Sequence, residues 1–191
     1  MPFEFIPQSI EDLVLIKPRV FPDGRGFFLE TYKESDFLKS GIYADFKQAN
    51  HSCSGAGVLR GLHYQLPPFE QGKLVRVITG AIWDIAVDMR PDSSSFGKWV
   101  GVELSAENHY SFWIPGGFAH GFVALTDNVN LEYQCTNEYR KEAEAGVRWN
   151  DDQLAITWPF KDVLVSEKDA ALPFLQDARL FPKAYSFRGR S

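Results

Sequence analysis

Apolar and polar residues alternate with a period of two along much of this chain. In residues 83–90 every second side chain is large and apolar, and residues 100–104 and 131–135 repeat the pattern. Successive side chains of a β-strand point to opposite faces, so each segment predicts a strand with one buried face. Turn signals rich in Gly, Pro, Asp and Asn separate them at residues 79–80, 91–95, 115–117 and 126–128. Short strands at this spacing predict an all-β sandwich or barrel.

Helical signals are few. Residues 35–39, ended by Gly41, predict one short helix. Residues 166–169, Ser-Glu-Lys-Asp before an apolar run, resemble a capping box that begins a second helix. No repeat or linker interrupts the pattern, so residues 1–191 are predicted to form a single domain. The segment after Ala178 is basic, and its role does not follow from the sequence.

Composition narrows the class of protein. No window of the 191 residues approaches the roughly 18 consecutive apolar residues of a membrane helix, and the first residues lack a secretory-signal pattern. The two cysteines, Cys53 and Cys135, are too few for a disulfide scaffold and favour a reducing cytoplasm. A net charge of −5 argues against non-specific nucleic-acid binding. We therefore expect a soluble cytoplasmic domain with no nucleic-acid or membrane partner.

Residues 57–88 place one histidine and several cations among strand-like apolar residues. Charged groups are costly in a packed core unless they are paired or used, so His63, Arg60 and Lys73 indicate a polar pocket. A second run, residues 113–122, adds His120 in similar surroundings.

Arg60 and His63 lie on opposite faces of a regular strand. For both to reach one pocket the strand must bulge or twist, and Gly61 is where a bulge costs least. Taken alone, His63 equally fits a hydrogen-bonded core histidine, and Arg60 a surface ion pair.

Three further residues have two interpretations each. Lys73 shares a face with Val75 and Val77, either as a snorkelling edge residue or as a fixed positive charge for an anionic intermediate. Tyr133 is either a core tyrosine or a proton donor. Asp169 either belongs to the capping box or orients a histidine through its second ring nitrogen.

A metal site is a minority alternative. The spacings Gly57-x5-His63 and Pro115-x-Gly-x-x-His120 match parts of the two motifs of metal-binding cupin barrels. The first motif normally has a second histidine two residues on, where this chain has Gln65. Glu70 could complete a triad of two histidines and one carboxylate, but Lys73 would place a cation beside the ion.

Six segments in order along residues 5–176 carry a family resemblance. They are FPDGRGFFLE at 21–30, FKQANHS at 46–52, GVLRGLHYQ at 57–65, QGKLVR at 71–76, WIPGGFAHGF at 113–122, and WND with WP between 149 and 159. The chain resembles the dTDP-4-dehydrorhamnose 3,5-epimerases, which are cupin-type jelly rolls (double-stranded β-helices). Cys53 stands where the family usually has Arg, and Gln134 where Lys is common.

The resemblance implies a role for each matching residue. His63 corresponds to the base, Asp169 to its dyad partner, Tyr133 to the acid on the opposite sugar face, and Lys73 to the group at the ketone oxygen. Nucleotide-sugar-binding positions correspond to Arg25, Glu30, Gln48, Asn50, Arg60, His120, Glu144 and Lys168, and aromatic positions beside the thymine to Phe27 and Tyr139. It further implies a dTDP-sugar substrate, no cofactor or metal, and a homodimer with an exchanged N-terminal strand, for which residues 14–20 are the candidate.

Other functions remain as alternatives. A monofunctional 3- or 5-epimerase would share the same base. A metal-dependent cupin enzyme would contain a bound ion. A non-catalytic nucleotide-sugar-binding module would keep the arginines but would not need His63, Lys73 and Tyr133 together.

Overall fold

The computed structural model describes residues 2–185 as a β-structure with a few short helices. Within these residues the strands are, in chain order, β1 (Phe3–Pro7), β2 (Val14–Pro18), β3 (Val20–Asp23), β4 (Gly26–Leu29), β5 (Gln48–Ser54), β6 (Val58–Gln65), β7 (Lys73–Thr79), β8 (Ala81–Asp88), β9 (Trp99–Ser105), β10 (Ser111–Ile114), β11 (Phe118–Ala124), β12 (Val129–Cys135), β13 (Glu144–Gly146) and β14 (Leu164–Val165). The helices are α1 (Glu34–Lys39) and α2 (Glu167–Ala170), with 3-10 turns at Lys141–Ala143 and Leu175–Asp177.

Two sheets face each other. The first has the order β1-β2-β10-β7-β12-β5 and is antiparallel throughout. The second has the order β13-β6-β11-β8-β9, with the short β14 added parallel to β6. Strands β3 and β4 form a separate hairpin. The predicted all-β jelly roll is confirmed.

Apolar side chains form three layers around these sheets. The central layer lies between the sheets and includes Val75 and Leu131 from the first and Ile82 from the second. The outer face of the first sheet packs on α1 through Phe37. The outer face of the second is covered by residues from the C-terminal third, among them Leu175. Both sheets are therefore buried on two sides over much of their area.

The prediction that β8 is half-buried is wrong. Asp84, Ala86 and Asp88 are fully buried, as are Ile85 and Val87 on the other face. The alternation reported the two faces correctly, but both are covered: residues after β13 pack on the face of Ile85 and Val87, and the first sheet packs on the face of Ala86. Two aspartates therefore lie in the interior.

Both predicted helices are present, and the C-terminal segment has a packing role. Helix α2 begins after Ser166, whose Oγ accepts the backbone N–H of Asp169. Phe181 packs against Tyr64, and the Tyr64 hydroxyl donates to the Arg179 carbonyl at 2.6 Å. Among residues 2–185, no helix is long and apolar enough to cross a membrane.

Candidate active site

A cavity of about 590 Å³ opens between the two sheets. All four residues assigned to the catalytic machinery by resemblance line it: His63 on β6, Lys73 on β7, Tyr133 on β12 and Asp169 on α2. The convergence expected from sequence is therefore present, while the chemical roles stay predictions. The other lining residues are Ser52, Val58, Leu59, Arg60, His120, Phe122, Leu164, Val165, Ser166 and Lys168.

His63 is held by a buried carboxylate. Its Nε2 lies 2.7 Å from Asp169 Oδ1, and the other carboxylate oxygen accepts the Gly61 backbone N–H at 3.0 Å. Burial raises the pKa of Asp169, but its contacts with His63, Gly61 and Ser166 together lower it by more. The net pKa of Asp169 is therefore below its usual value. Asp169 makes both of the contacts considered for it: its backbone N–H donates to the capping Ser166 Oγ, and its side chain pairs with His63.

The predicted bulge at Gly61 is confirmed. On β11, His120 pairs with His63 and Phe122 pairs with Arg60, so two residues of β6 oppose Gly121 alone. A Cβ at Gly61 would lie 2.6 Å from the Gly121 Cα, and Gly61 has a φ of +128°, so only glycine fits. The bulge turns both Arg60 and His63 toward the cavity.

Lys73 and Tyr133 enter the cavity from the first sheet, opposite His63. The buried Lys73 ammonium donates to the His63 carbonyl oxygen at 3.3 Å. Burial lowers the pKa of Lys73, and the neighbouring Cys135 and Asp84 oppose that effect. Burial raises the pKa of Tyr133, so its phenol keeps its proton at neutral pH. The cavity thus has a histidine on one wall and a cation and a phenol on the other.

His120 forms a second histidine–carboxylate pair, with Asp84 on β8. The His120 Nε2 lies 2.6 Å from Asp84 Oδ1, and both side chains are buried. Burial lowers the pKa of His120; Asp84 acts in the opposite direction, and Lys73 and His63 add to the lowering. Sequence reasoning missed Asp84, although a charged residue in so apolar a strand was an available signal.

A second cavity of about 400 Å³ shares His63, Lys73, Tyr133 and Lys168 with the first. It brings in four of the residues predicted to bind the nucleotide sugar, Gln48, Asn50, Tyr139 and Glu144. These residues contact one another in series. Gln48 accepts the Tyr139 backbone N–H and donates to Asn50. Glu144 accepts from the Tyr139 hydroxyl and pairs with Lys168. The two cavities therefore form one elongated site.

Three predicted binding residues do not reach either cavity of their own chain. Arg25 and Phe27 lie on the β3–β4 hairpin, and Glu30 follows it. The Arg25 side chain is 90% exposed and pairs with Asp23, while the Phe27 ring contacts the His109 ring at a tilt. If they bind substrate, a second copy must supply the cavity.

The candidate ligands of the metal alternative each have another partner. His63 and His120 each pair with a different aspartate, and the buried Glu70 accepts the hydroxyl of Tyr185. Across residues 2–185, no group of three or more His, Cys, Asp or Glu side chains is placed to hold a metal ion.

Comparison with known proteins agrees with this geometry. A family model described as dTDP-4-dehydrorhamnose 3,5-epimerase matches residues 7–177. The chain is 50% identical over 165 residues to the dTDP-4-dehydrorhamnose 3,5-epimerase of Shigella flexneri, covering 86% of this chain and 91% of that protein. The structure of the Legionella pneumophila 3,5-epimerase RmlC, in complex with dTDP-4-keto-L-rhamnose, superposes with a TM-score of 0.91 at 44% identity, covering 96% and 100%. ChmJ, a 3'-monoepimerase from Streptomyces bikiniensis in complex with dTDP-quinovose, gives 0.84 at 34% identity, covering 89% and 87%.

Proposed function

This chain belongs to the dTDP-4-dehydrorhamnose 3,5-epimerase family, and we propose that it inverts both C3 and C5 of dTDP-4-dehydro-6-deoxy-D-glucose to give dTDP-4-dehydro-L-rhamnose. It is an isomerase of dTDP-L-rhamnose biosynthesis. The observation that carries the proposed mechanism is the single cavity that contains His63, Lys73, Tyr133 and Asp169.

The substrate's C4 ketone makes this chemistry accessible. C3 and C5 both neighbour the carbonyl, so loss of either proton gives an enolate stabilised by the carbonyl oxygen. The reaction needs a base on one face of the sugar, an acid on the other and a positive charge at the oxygen. It transfers protons only, so no redox step is involved.

His63 is the proposed base. With Asp169 ionised, the 2.7 Å contact requires the proton of neutral His63 to sit on Nε2. The Nδ1 lone pair is then free to take the proton from C3 or C5. Asp169 acts as a positioning residue, which holds this tautomer and stabilises the imidazolium after proton transfer.

Tyr133 is the proposed acid. It lies on the first sheet and His63 on the second, so a sugar between them exposes opposite faces to the two groups. The raised pKa of Tyr133 keeps the phenol protonated until the enolate carbon takes the proton.

Lys73 is the proposed partner of the enolate oxygen. Its ammonium is buried at the cavity wall, where a charge interacts strongly with a developing oxyanion. One such preorganised donor is worth about 3 to 4 kcal/mol of transition-state stabilisation. Burial lowers the pKa of Lys73, so its charge must be maintained by neighbouring groups.

Two cations and one aromatic ring at the cavities suit a nucleoside diphosphate. Arg60 is fixed by Ser54 and the Cys53 carbonyl, which leaves its guanidinium at the cavity edge. Arginine can bind phosphate oxygens through two parallel hydrogen bonds, and Lys168 adds a second cation. The exposed Tyr139 ring offers a flat surface for the base.

Product stereochemistry tests the proposed reaction against a monofunctional epimerase. We expect the ketone product, after borohydride reduction, to include dTDP-L-rhamnose. A product inverted at C3 alone or C5 alone would assign the chain to the monofunctional group, which has the same cavity chemistry.

We also propose a homodimer in which the β3–β4 hairpin reaches the cavity of the second copy. Phe27 and Phe28 on this hairpin are 59% and 65% exposed, and Phe21 beside them is 41% exposed. An exposed aromatic cluster on a projecting hairpin is typical of an interaction surface. The resemblance implied residues 14–20 as an exchanged strand; we propose the hairpin as the contact instead, because β2 is hydrogen-bonded on both sides within its own chain.

Mixed dimers test whether the hairpin acts in trans. We expect Arg25→Ala alone to lower kcat/KM by about 10- to 100-fold, since a hydrogen bond to a charged group is worth about 1.5–3 kcal/mol, and His63→Ala to be inactive. Refolding the two together should restore roughly a quarter of wild-type activity, because about half the dimers are mixed and each has one intact site. A mixture no more active than its components would mean that Arg25 serves its own chain or no site.

We further propose a cytoplasmic enzyme that supplies a rhamnose donor for lipopolysaccharide or cell-wall polysaccharide. The support is that Cys53 and Cys135 both carry free thiols, as a reducing compartment allows.

A further inference from the structure

Asp84 is a buried carboxylate beside the reaction cavity that the mechanism above does not use. Its side chain is 0% exposed, and Oδ1 lies 2.6 Å from His120 Nε2. Its Oδ2 is buried without a hydrogen-bond partner among residues 2–185. An ionised carboxylate is costly in the interior unless neighbouring positive charge or donors compensate it. Its position therefore calls for a functional reason.

Two cavity residues depend on Asp84 electrostatically. His120 contacts it directly, through Nε2. Lys73 interacts with it across the space between the sheets, and this attraction opposes the lowering of the Lys73 pKa by burial. One carboxylate thus acts on the second histidine and on the buried cation together.

We propose that Asp84 is a positioning residue for epimerisation, which holds His120 in the tautomer with its proton on Nε2 and supplies the negative charge that keeps Lys73 protonated. The inference rests on the proposed function and gives His120 and Lys73 different roles in binding the substrate. His120 then presents Nδ1 as a hydrogen-bond acceptor, which suits a sugar hydroxyl. The ketone oxygen needs a donor and is left to Lys73.

Several groups set the charge of Lys73, and all must be considered in a pH experiment. They come from every element around it: His63 and Arg60 on β6, Asp84 on β8, His120 on β11, Tyr133 and Cys135 on β12, Glu144 on β13, and Lys168 and Asp169 on α2. Of the three carboxylates, Asp169 is paired with His63 and Glu144 with Lys168, which leaves Asp84.

Replacing Asp84 by asparagine removes the charge and preserves the volume. Lys73 must be protonated to act, so activity is lost as the pH rises through its pKa. Without Asp84 that pKa falls, and we expect the alkaline limb of the kcat profile to move down by about one pH unit or more. At neutral pH kcat should fall about 10- to 100-fold, the size of effect seen when the hydrogen-bonding partner of a metal-bound histidine is removed, with a smaller change in KM.

Asp88→Asn is the matched control. Asp88 is equally buried on the same face of β8, but it binds Arg90, Ser93 and Ser95, whereas Asp84 binds His120. We expect this variant to unfold at a lower temperature and to keep the wild-type alkaline limb. An Asp84→Asn enzyme with the wild-type limb would overturn the proposal.

Nitrogen NMR of the wild-type protein labelled in its four histidines provides a test that needs no variant to fold. At neutral pH His120 should be neutral with its proton on Nε2, and a proton on Nδ1 would overturn the proposal. A wild-type protein without epimerase activity would instead refute the proposed function, while leaving the tautomer measurement valid.

Discussion

His63→Ala is expected to abolish deuterium incorporation at C3 and at C5 alike when the substrate is incubated in deuterated water. If one base removes both protons, then without it no enolate forms at either carbon. General-base catalysis contributes on the order of 10²- to 10⁴-fold, so turnover should fall at least that far. Proton NMR of the sugar signals measures exchange at the two carbons separately.

The control for this variant is His51→Ala. His51 is an exposed histidine on β5 that contacts Asn130 outside both cavities, so its loss should leave exchange and turnover unchanged. Exchange that persists at one carbon in His63→Ala would mean that a second base serves that carbon. His120 would then be the group to replace next.

Tyr133→Phe is expected to uncouple exchange from inversion. His63 still forms the enolate, but the far face has lost its proton donor, and the enolate is often reprotonated from the face it came from. Production of the inverted sugar should fall on the order of 10²- to 10⁴-fold while deuterium still enters the substrate. The ratio of deuterium incorporated to product formed, read from the same spectra, separates this variant from His63→Ala.

Tyr110→Phe controls for the loss of a hydroxyl in the same core. Tyr110 packs against the central apolar layer, as Tyr133 does, but it does not line either cavity. We expect it to match the wild type. If Tyr133→Phe also turns over at the wild-type rate, Tyr133 is a core residue and the acid lies elsewhere.

Local patterns predicted the strands and the position of the bulge. The period-two alternation located β8, β9 and β12, because side-chain direction in a strand is set by the backbone alone. The bulge at Gly61 could be predicted because Arg60 and His63 had to face the same cavity. In the structure Gly61 and Leu62 of β6 together face the single residue Gly121 of β11.

Features that depend on distant segments were not predictable in the same way. The burial of Asp84 follows from the first sheet, which packs over the face of β8 that carries it, so alternation alone made β8 half-exposed. The separation of Arg25 and Phe27 from their own cavity depends on where the hairpin projects. The resemblance gave these two residues a role in binding but did not say whether they serve the cavity of their own chain or of a second copy.

Deuterium incorporation by the wild-type enzyme, acting on dTDP-4-dehydro-6-deoxy-D-glucose in deuterated water, tests the proposed double inversion most directly. We expect deuterium at both C3 and C5 of a product with both centres inverted, because one cavity holds a base, an acid and a cation for a common enolate. Inversion with protium retained at either carbon would contradict the proposed mechanism.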